Sequence, residues 1–161
     1  MLLVPRDCPS ASPARSRLLV GAALKYFARH FRRPIEMVLV AEELGVSEAC
    51  LEFCFDQSRG MTPFEALQHH RLNRLFQAIT AQPQQALGAA IRDCGLRTTA
   101  ETLAQFEETF GIAMPLFRQT CRRAADDRQF RRHHPRRDSL VIPARPRPLR
   151  AIHPGKPRLV S

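Results

Sequence analysis

The sequence predicts an all-α protein, and three observations support this. Apolar residues recur at helical spacing from Arg17 to about Ala125. Glycines and prolines divide that stretch into segments of ordinary helix length. No segment alternates apolar and polar residues as a half-buried strand would. With 161 residues, of which 44% are apolar, the chain is long enough for one domain or two very small ones.

Start and stop signals predict about seven helices. A proline ends the first, because Pro34 drives the preceding residue out of the α region. Glycines end several others, and Ser or Thr side chains cap the free backbone N–H groups where helices begin. The first helix is expected to start near Arg17. Three further helices are expected over about 35–43, 85–93 and 114–125. The remaining three follow caps at Ser47, Thr62 and Thr98 or Thr99.

The stretch MTPFEALQHHRLNRL predicts the longest uninterrupted helix, over about 62–80. Thr62 is a suitable N-cap, Pro63 fits the first helical position, and Glu65 completes a capping box. The apolar stripe expected on its inner face comprises Phe64, Leu67, Leu72, Leu75, Phe76 and Ile79, with Arg71 among them.

Two parts of the chain repeat each other. Phe55 lies five residues before Gly60, and Phe106 lies five residues before Gly111, an offset of 51 residues. Short helix, glycine turn and Ser/Thr-capped helix recur at both places, which is the pattern of a helix-turn-helix. The pattern therefore predicts unit one over 17–60 and unit two over 84–125, joined by the long linker helix.

The positive charge is concentrated near the C-terminus. Of the net +10, residues 1–125 contribute +3 from 15 basic and 12 acidic side chains, and residues 126–161 contribute +7 from 10 and 3. Pro and Arg dominate that second segment, which predicts a disordered basic tail over 126–161. Prolines at the other end predict a flexible arm over 1–16.

Cysteine usage and hydropathy indicate a cytoplasmic protein. Five cysteines form an odd set without a C-x-x-C pair, which argues against a disulfide framework and for a reducing compartment. The opening MLLVP is too short for a signal peptide, and no segment approaches the length of a membrane span. We therefore expect no membrane partner.

Neither catalysis nor metal binding is favoured by the sequence. No nucleophile–base constellation, carboxylate pair or phosphate-binding glycine loop is present, so we expect no enzyme activity and no cofactor. Cys50 and Cys54 are four residues apart on one helix, but buried packing is a better explanation than metal ligation without further ligands at zinc spacing. The pairs His69-His70 and His133-His134 could also bind metal, but the first pair lies on the linker helix, where an exposed or phosphate-facing placement is the better explanation.

The motifs between about residues 20 and 123 resemble the DNA-binding domain of AraC/XylS-type transcriptional regulators. The family pattern of glycine, serine, leucine and phenylalanine matches Gly45, Ser47, Leu51 and Phe55. The matching residues further along the chain are Gly60-Met61-Thr62-Pro63, Arg71-Leu72, Gly95, Thr98, Phe106, Phe110-Gly111 and Phe117-Arg118.

The resemblance implies a double-stranded DNA partner. In that family the second helix of each unit enters one of two successive major grooves, about 34 Å apart. Members usually activate transcription, and many carry a separate effector-binding domain, for which this chain has no room. The resemblance thus implies a sequence-specific regulator, most simply an activator, without a small-molecule effector domain in this chain.

The two helices that would read DNA are acidic here. Neither Ser47–Gln57 nor Thr98–Thr109 contains Lys or Arg, and each carries three acids. Glutamate can accept from cytosine N4, and apolar side chains can contact a thymine methyl. The predicted base-reading residues are Ala49, Glu52 and Phe53 in unit one and Thr99, Ala100 and Ala104 in unit two. Ser47 and Thr98 belong to the same predicted surface, and Arg59, Arg71 and Arg97 are candidate phosphate contacts.

Three alternatives remain open from the sequence. The domain could be a purely structural helical unit. It could bind a protein through its acidic helices, such as a partner regulator or RNA polymerase. Alternatively, the basic tail could bind nucleic acid without sequence preference.

Overall fold

The computed structural model describes residues 12–133, and within that range the chain forms seven α-helices and no strand. This confirms the predicted all-α class. The helices are α1 Pro13–His30, α2 Met37–Glu43, α3 Glu48–Arg59, α4 Pro63–Ala81, α5 Leu87–Asp93, α6 Ala100–Phe110 and α7 Met114–His133. The arm predicted for 1–16 and the tail predicted for 126–161 lie outside the described residues, apart from their ends at 12–16 and 126–133.

Those two ends are helical, so the predicted boundaries are wrong there. α1 begins at Pro13 because Ser12 is extended and a proline is well suited to the first helical position. α7 runs to His133, the last described residue, eight residues beyond the predicted end. The next proline in the chain is Pro135, so nothing breaks the helix before His133.

The core of unit one lies between α1 and α3. Phe27 and Phe55 are fully buried, and their rings lie 6.2 Å apart. Val40 of α2 and Leu67 of α4 are also fully buried in this core cluster. Complete burial of such side chains stabilises the fold by about 1.5–3 kcal/mol each.

The core of unit two contains part of the linker helix. The Phe76 ring lies 4.4 Å from Phe117 and 4.7 Å from Phe110, centroid to centroid, and Phe106 lies beside all three. Phe76 precedes the 84–125 range predicted for unit two. A helix-turn-helix pair needs a third helix to cover its apolar face, and the C-terminal half of α4 provides it.

The predicted start of α4 is confirmed in detail. Thr62 Oγ1 accepts from the Glu65 N–H at 3.1 Å, while the Thr62 N–H donates to Glu65 Oε2 at 2.7 Å, which forms a complete capping box. The hydrogen bonds from Thr62 lower the pKa of the Glu65 carboxyl. The predicted inner stripe is correct except at its first residue, because the Phe64 side chain is 53% exposed.

Left-handed glycines end both α3 and α6. Gly60 after α3 has φ +64°, and Gly111 after α6 has φ +70°. Their N–H groups donate to Asp56 O and Glu107 O respectively, which satisfies a carbonyl at each helix end. The repeat predicted from the sequence therefore reflects two equivalent helix terminations.

The cysteines are largely packing residues. Cys54 and Cys94 are buried, and burial raises the pKa of the Cys94 thiol. Cys50 is buried as predicted but is disulfide-bonded, which the odd count did not predict. An odd number excludes the pairing of all five cysteines, not of two.

None of the helices α1–α7 is both long enough and apolar enough to cross a bilayer.

We expect Thr62→Ala to lower the free energy of unfolding by about 1 kcal/mol, because it removes the cap acceptor at the start of α4. Urea denaturation followed by circular dichroism measures this. Thr80→Ala is the matched control, since that hydroxyl bonds Phe76 O within the last turn and caps nothing. An equal loss in both variants would contradict a capping role for Thr62.

Candidate nucleic-acid interface

α3 presents an acidic outer face. Ser47 is its N-cap and accepts from the Cys50 N–H at 3.2 Å, so its hydroxyl is occupied within the protein. Ala49 and Glu52 are exposed on the outer face, whereas Phe53 is half-buried. Of the residues predicted to read bases in unit one, Ala49 and Glu52 are therefore exposed and Phe53 is only partly exposed.

α6 presents the equivalent face in unit two. The alternative cap positions are resolved in favour of Thr99, whose hydroxyl accepts from the Thr102 N–H at 3.3 Å. Thr98 lies just before the cap and is exposed. Ala100 and Ala104 are exposed on the outer face, one helical turn apart. Their small side chains allow a close approach of another molecule to this helix.

Exposed arginines flank both α3 and α6. Arg59 occupies the last turn of α3, and Arg97 lies in the turn between α5 and α6. Both predicted phosphate contacts are therefore accessible. Further exposed arginines on the described surface are Arg29, Arg32, Arg33, Arg74, Arg92, Arg122 and Arg123.

The prediction that Arg71 contacts phosphate is wrong, because the side chain is buried. Its side chain is only 7% exposed, and its guanidinium donates to two backbone carbonyls, Phe31 O at 2.9 Å and Arg33 O at 2.8 Å. Burial lowers the pKa of Arg71. The carbonyls lie just beyond α1, whose C-terminal end carries partial negative charge, so the cation satisfies and stabilises that helix end. Arg71 is a structural link between α4 and unit one.

Phe31, the C-cap of α1, is surrounded by cationic and aromatic groups. The guanidinium carbons of Arg32 and Arg74 lie 5.6 and 5.3 Å from its ring centroid. The His70 ring packs edge-on at 5.4 Å. Burial and the neighbouring Arg74 and Arg71 lower the pKa of His70, because each disfavours the charged imidazolium.

Unit two touches the same residue. A Cβ placed on Gly95, in the turn before α6, would lie 2.2 Å from Phe31 O and 3.1 Å from Arg71 Nε. Only the absence of a side chain at Gly95 allows this approach. The end of α1, the middle of α4 and the α5–α6 turn therefore meet at one point.

An open cleft of about 620 Å³ adjoins this junction. It is bounded by the turn before α2, the N-terminal half of α4 and the first turns of α6. Polar lining residues include Arg32, Arg97, Gln68 and Gln105. The buried Gln68 Oε1 makes no hydrogen bond to the rest of the described protein. The cleft thus combines the positive charge of Arg32 and Arg97 with the carboxylate of Glu101.

The sequence did not single out Gln68, Gln105 or the exposed Phe64 as cleft residues. Gln105 is half-buried on α6, and its position three residues after the buried Thr102 is the signal that places it on the same side. Gln68 and Phe64 are separated by one turn of α4. That both residues face a cleft is visible only in the tertiary structure, because residues of unit two form the opposite wall.

A second recess lies on α7. Arg118, Arg122 and Arg123 line it together with Asp126. Arg118 Nε donates to Gln85 O at 3.1 Å, which holds α7 against the start of α5. The arginines of α7 therefore present positive charge from a packed helix.

Among the described residues, no cluster of three or more His, Cys, Asp or Glu side chains could hold a metal ion.

Comparison with known proteins supports the fold. A crystal structure of a transcriptional regulator from Chromobacterium violaceum, described as an AraC-type DNA-binding domain-containing protein, matches this chain with a TM-score of 0.61. The two share 23% sequence identity, and the match covers 67% of this chain and 96% of that chain. No protein-family model and no curated protein matches. The chain thus has the fold of an AraC-type DNA-binding domain, as the sequence resemblance implied.

We expect His70 to make the unfolding free energy fall as the pH drops below about 6.5, its ordinary pKa. The folded state lowers the pKa of His70, so the unfolded chain takes up the proton first and is favoured as pH falls through that window. His70→Gln should remove this part of the slope. Chemical denaturation between about pH 7.5 and 5 measures it.

His69→Gln is the matched control, since His69 is the exposed neighbour on the same helix. Identical pH slopes for the wild type and His70→Gln would contradict the prediction that folding lowers the pKa of His70.

Proposed function

We propose that this chain binds double-stranded DNA with sequence preference through α3 and α6 and thereby regulates transcription in the cytoplasm, most simply as an activator. One observation carries the proposal. Two equivalent helices, each capped at its start and ended by a left-handed glycine, project small and acidic side chains from one scaffold. That scaffold has the fold of an AraC-type DNA-binding domain.

The exposed side chains suit base contacts of particular kinds. The methyl groups of Ala49, Ala100 and Ala104 fit against thymine methyls, and the Glu52 carboxylate fits the amino group of cytosine. These are all exposed on the outer faces. The proposal therefore assigns specificity to thymine methyls and to at least one cytosine.

Phosphate attraction must come from the flanks. The acidic faces of α3 and α6 repel the DNA backbone, and phosphate neutralisation supplies most of the non-specific affinity. Arg59 at the end of α3 and Arg97 before α6 are exposed and adjacent to the reading helices. We assign the main phosphate contacts to these two arginines, with the arginines of α7 as further contributors.

Selection of binding sites from a random duplex pool tests the function. We expect an enriched motif with two half-sites for both the full chain and a chain ending at His133, the end of the described helix α7. Affinity should fall steeply with salt, since arginine–phosphate contacts release counterions. Lack of an enriched motif in the wild type would contradict sequence-specific binding.

The same two chains separate the alternatives. Tail-driven, non-specific binding predicts that DNA binding is lost on truncation at His133. Binding of a protein instead of DNA predicts no DNA binding by either chain. A purely structural role predicts neither DNA binding nor a protein partner.

A protein contact has one observation in its favour. Val38 and Leu39 of α2 are 47% and 52% exposed, and Glu42 and Glu43 follow them one turn later on the same side. Two acids in the last turn of a helix oppose its dipole, so they do not stabilise α2. This apolar and acidic face is the surface on which we place a partner such as RNA polymerase, as a second function beside DNA binding.

We expect Glu52→Ala to relax base preference at one position of the selected motif. Removing the carboxylate should reduce discrimination at a cytosine by about 1–3 kcal/mol while general affinity is kept or raised. Binding to duplexes that vary at each position in turn measures this. Glu43→Ala, an exposed acid on α2, is the matched control.

A motif that Glu52→Ala leaves unchanged at every position would show that Glu52 does not contact a base. Equal changes in both variants would point to general electrostatics rather than base contact.

A further inference from the structure

Two glycines at equivalent places in the repeat have different surroundings. Gly45 follows α2 and Gly95 follows α5, and their φ angles are similar, +68° and +72°. A Cβ on Gly45 would meet nothing within 4 Å. On Gly95 it would meet the backbone oxygen of Phe31 at 2.2 Å. The turn itself explains the left-handed backbone at both sites, but not the close approach at Gly95.

The contact at Gly95 joins the two units by a route other than the linker helix. Phe31 ends α1 of unit one, and Gly95 lies in the turn that leads into α6 of unit two. Arg71 sits between them, 3.1 Å from the Cβ position of Gly95, and bonds Phe31 O and Arg33 O through separate nitrogens. The planar guanidinium fixes both distances at once.

A second attachment changes the mechanics of the domain. A single helix that joins two units can bend gently along its length, which would let α6 move relative to α3. A contact to the side of that helix, between α1 and the α5–α6 turn, opposes such bending. It acts close to the start of α6, so it also limits rotation of the reading helix.

We propose that the junction of Phe31, Arg71 and Gly95 determines which spacing between DNA half-sites the domain accepts. This inference rests on the proposed function. A change of one base pair moves one half-site by about 3.4 Å along the axis and rotates it around the helix. A rigid pair of reading helices rejects such a site, whereas a pair joined only by α4 accepts it.

Gly95→Ala opens the junction, and Gly45→Ala is its matched control. Both variants put an alanine at a positive φ and so share the same backbone cost. Only Gly95→Ala places a methyl against a backbone carbonyl, at a distance below the 3.0 Å that real Cβ contacts keep. A backbone oxygen cannot rotate away, so the two units must shift apart.

The measurement is the affinity for duplexes carrying the selected half-sites at the preferred spacing and at one base pair more or less. We expect the wild type and Gly45→Ala to prefer one spacing by about tenfold or more. Gly95→Ala should bind the three spacings within about twofold of one another. Thermal melting by circular dichroism checks that each variant is folded at the assay temperature.

Arg71→Lys provides a second variant if Gly95→Ala does not fold. Lysine keeps the charge but cannot bond both carbonyls with a planar fork, so the same loss of spacing preference is expected. The inference is overturned if the junction variant that folds keeps the wild-type preference, or if Gly45→Ala loses it equally. A wild type that yields a motif without spacing preference would overturn the inference alone, and one that yields no motif would overturn the proposed function as well.

Discussion

The buried guanidinium of Arg71 is the interaction on which the rest of this structure depends. It lies in the middle of α4 and bonds two carbonyls at the end of α1, about 40 residues away in sequence. Hydrogen bonds to a charged group contribute about 1.5–3 kcal/mol each, and loss of the donor would leave buried carbonyls unsatisfied. The same side chain contacts the Gly95 turn, so one residue ties unit one, the linker helix and unit two together.

The two units depend on each other for their cores, because both cores include side chains of α4. α4 contributes Leu67 to the first core and Phe76 to the second, so each unit completes its apolar cover with half of the same helix. A movement of α4 would therefore disturb both cores. The outer faces of α3 and α6 take part in neither core, so the small and acidic residues there contribute little to stability.

The charge on the outer faces of α3 and α6 differs from the charge at their edges. Arginines flank the reading helices at Arg59 and Arg97, while the outer faces of α3 and α6 carry acids and alanines. An interface of this composition would derive affinity from its edges and discrimination from its centre. The acidic and apolar face of α2 lies apart from α3 and α6 and is also exposed.

Local features were determined by the sequence alone. The helix order, the Ser47 and Thr62 caps and the glycine terminations at Gly60 and Gly111 follow from interactions within a few residues, which the sequence displays directly. The repeat showed the equivalence of α3 and α6 for the same reason. Only the tertiary structure decided that Arg71 is buried, that Phe64 is exposed and that Gly95 meets Phe31. Those outcomes depend on contacts between residues tens of positions apart, and an arginine on a helix looks alike in sequence whether it faces phosphate or a backbone carbonyl.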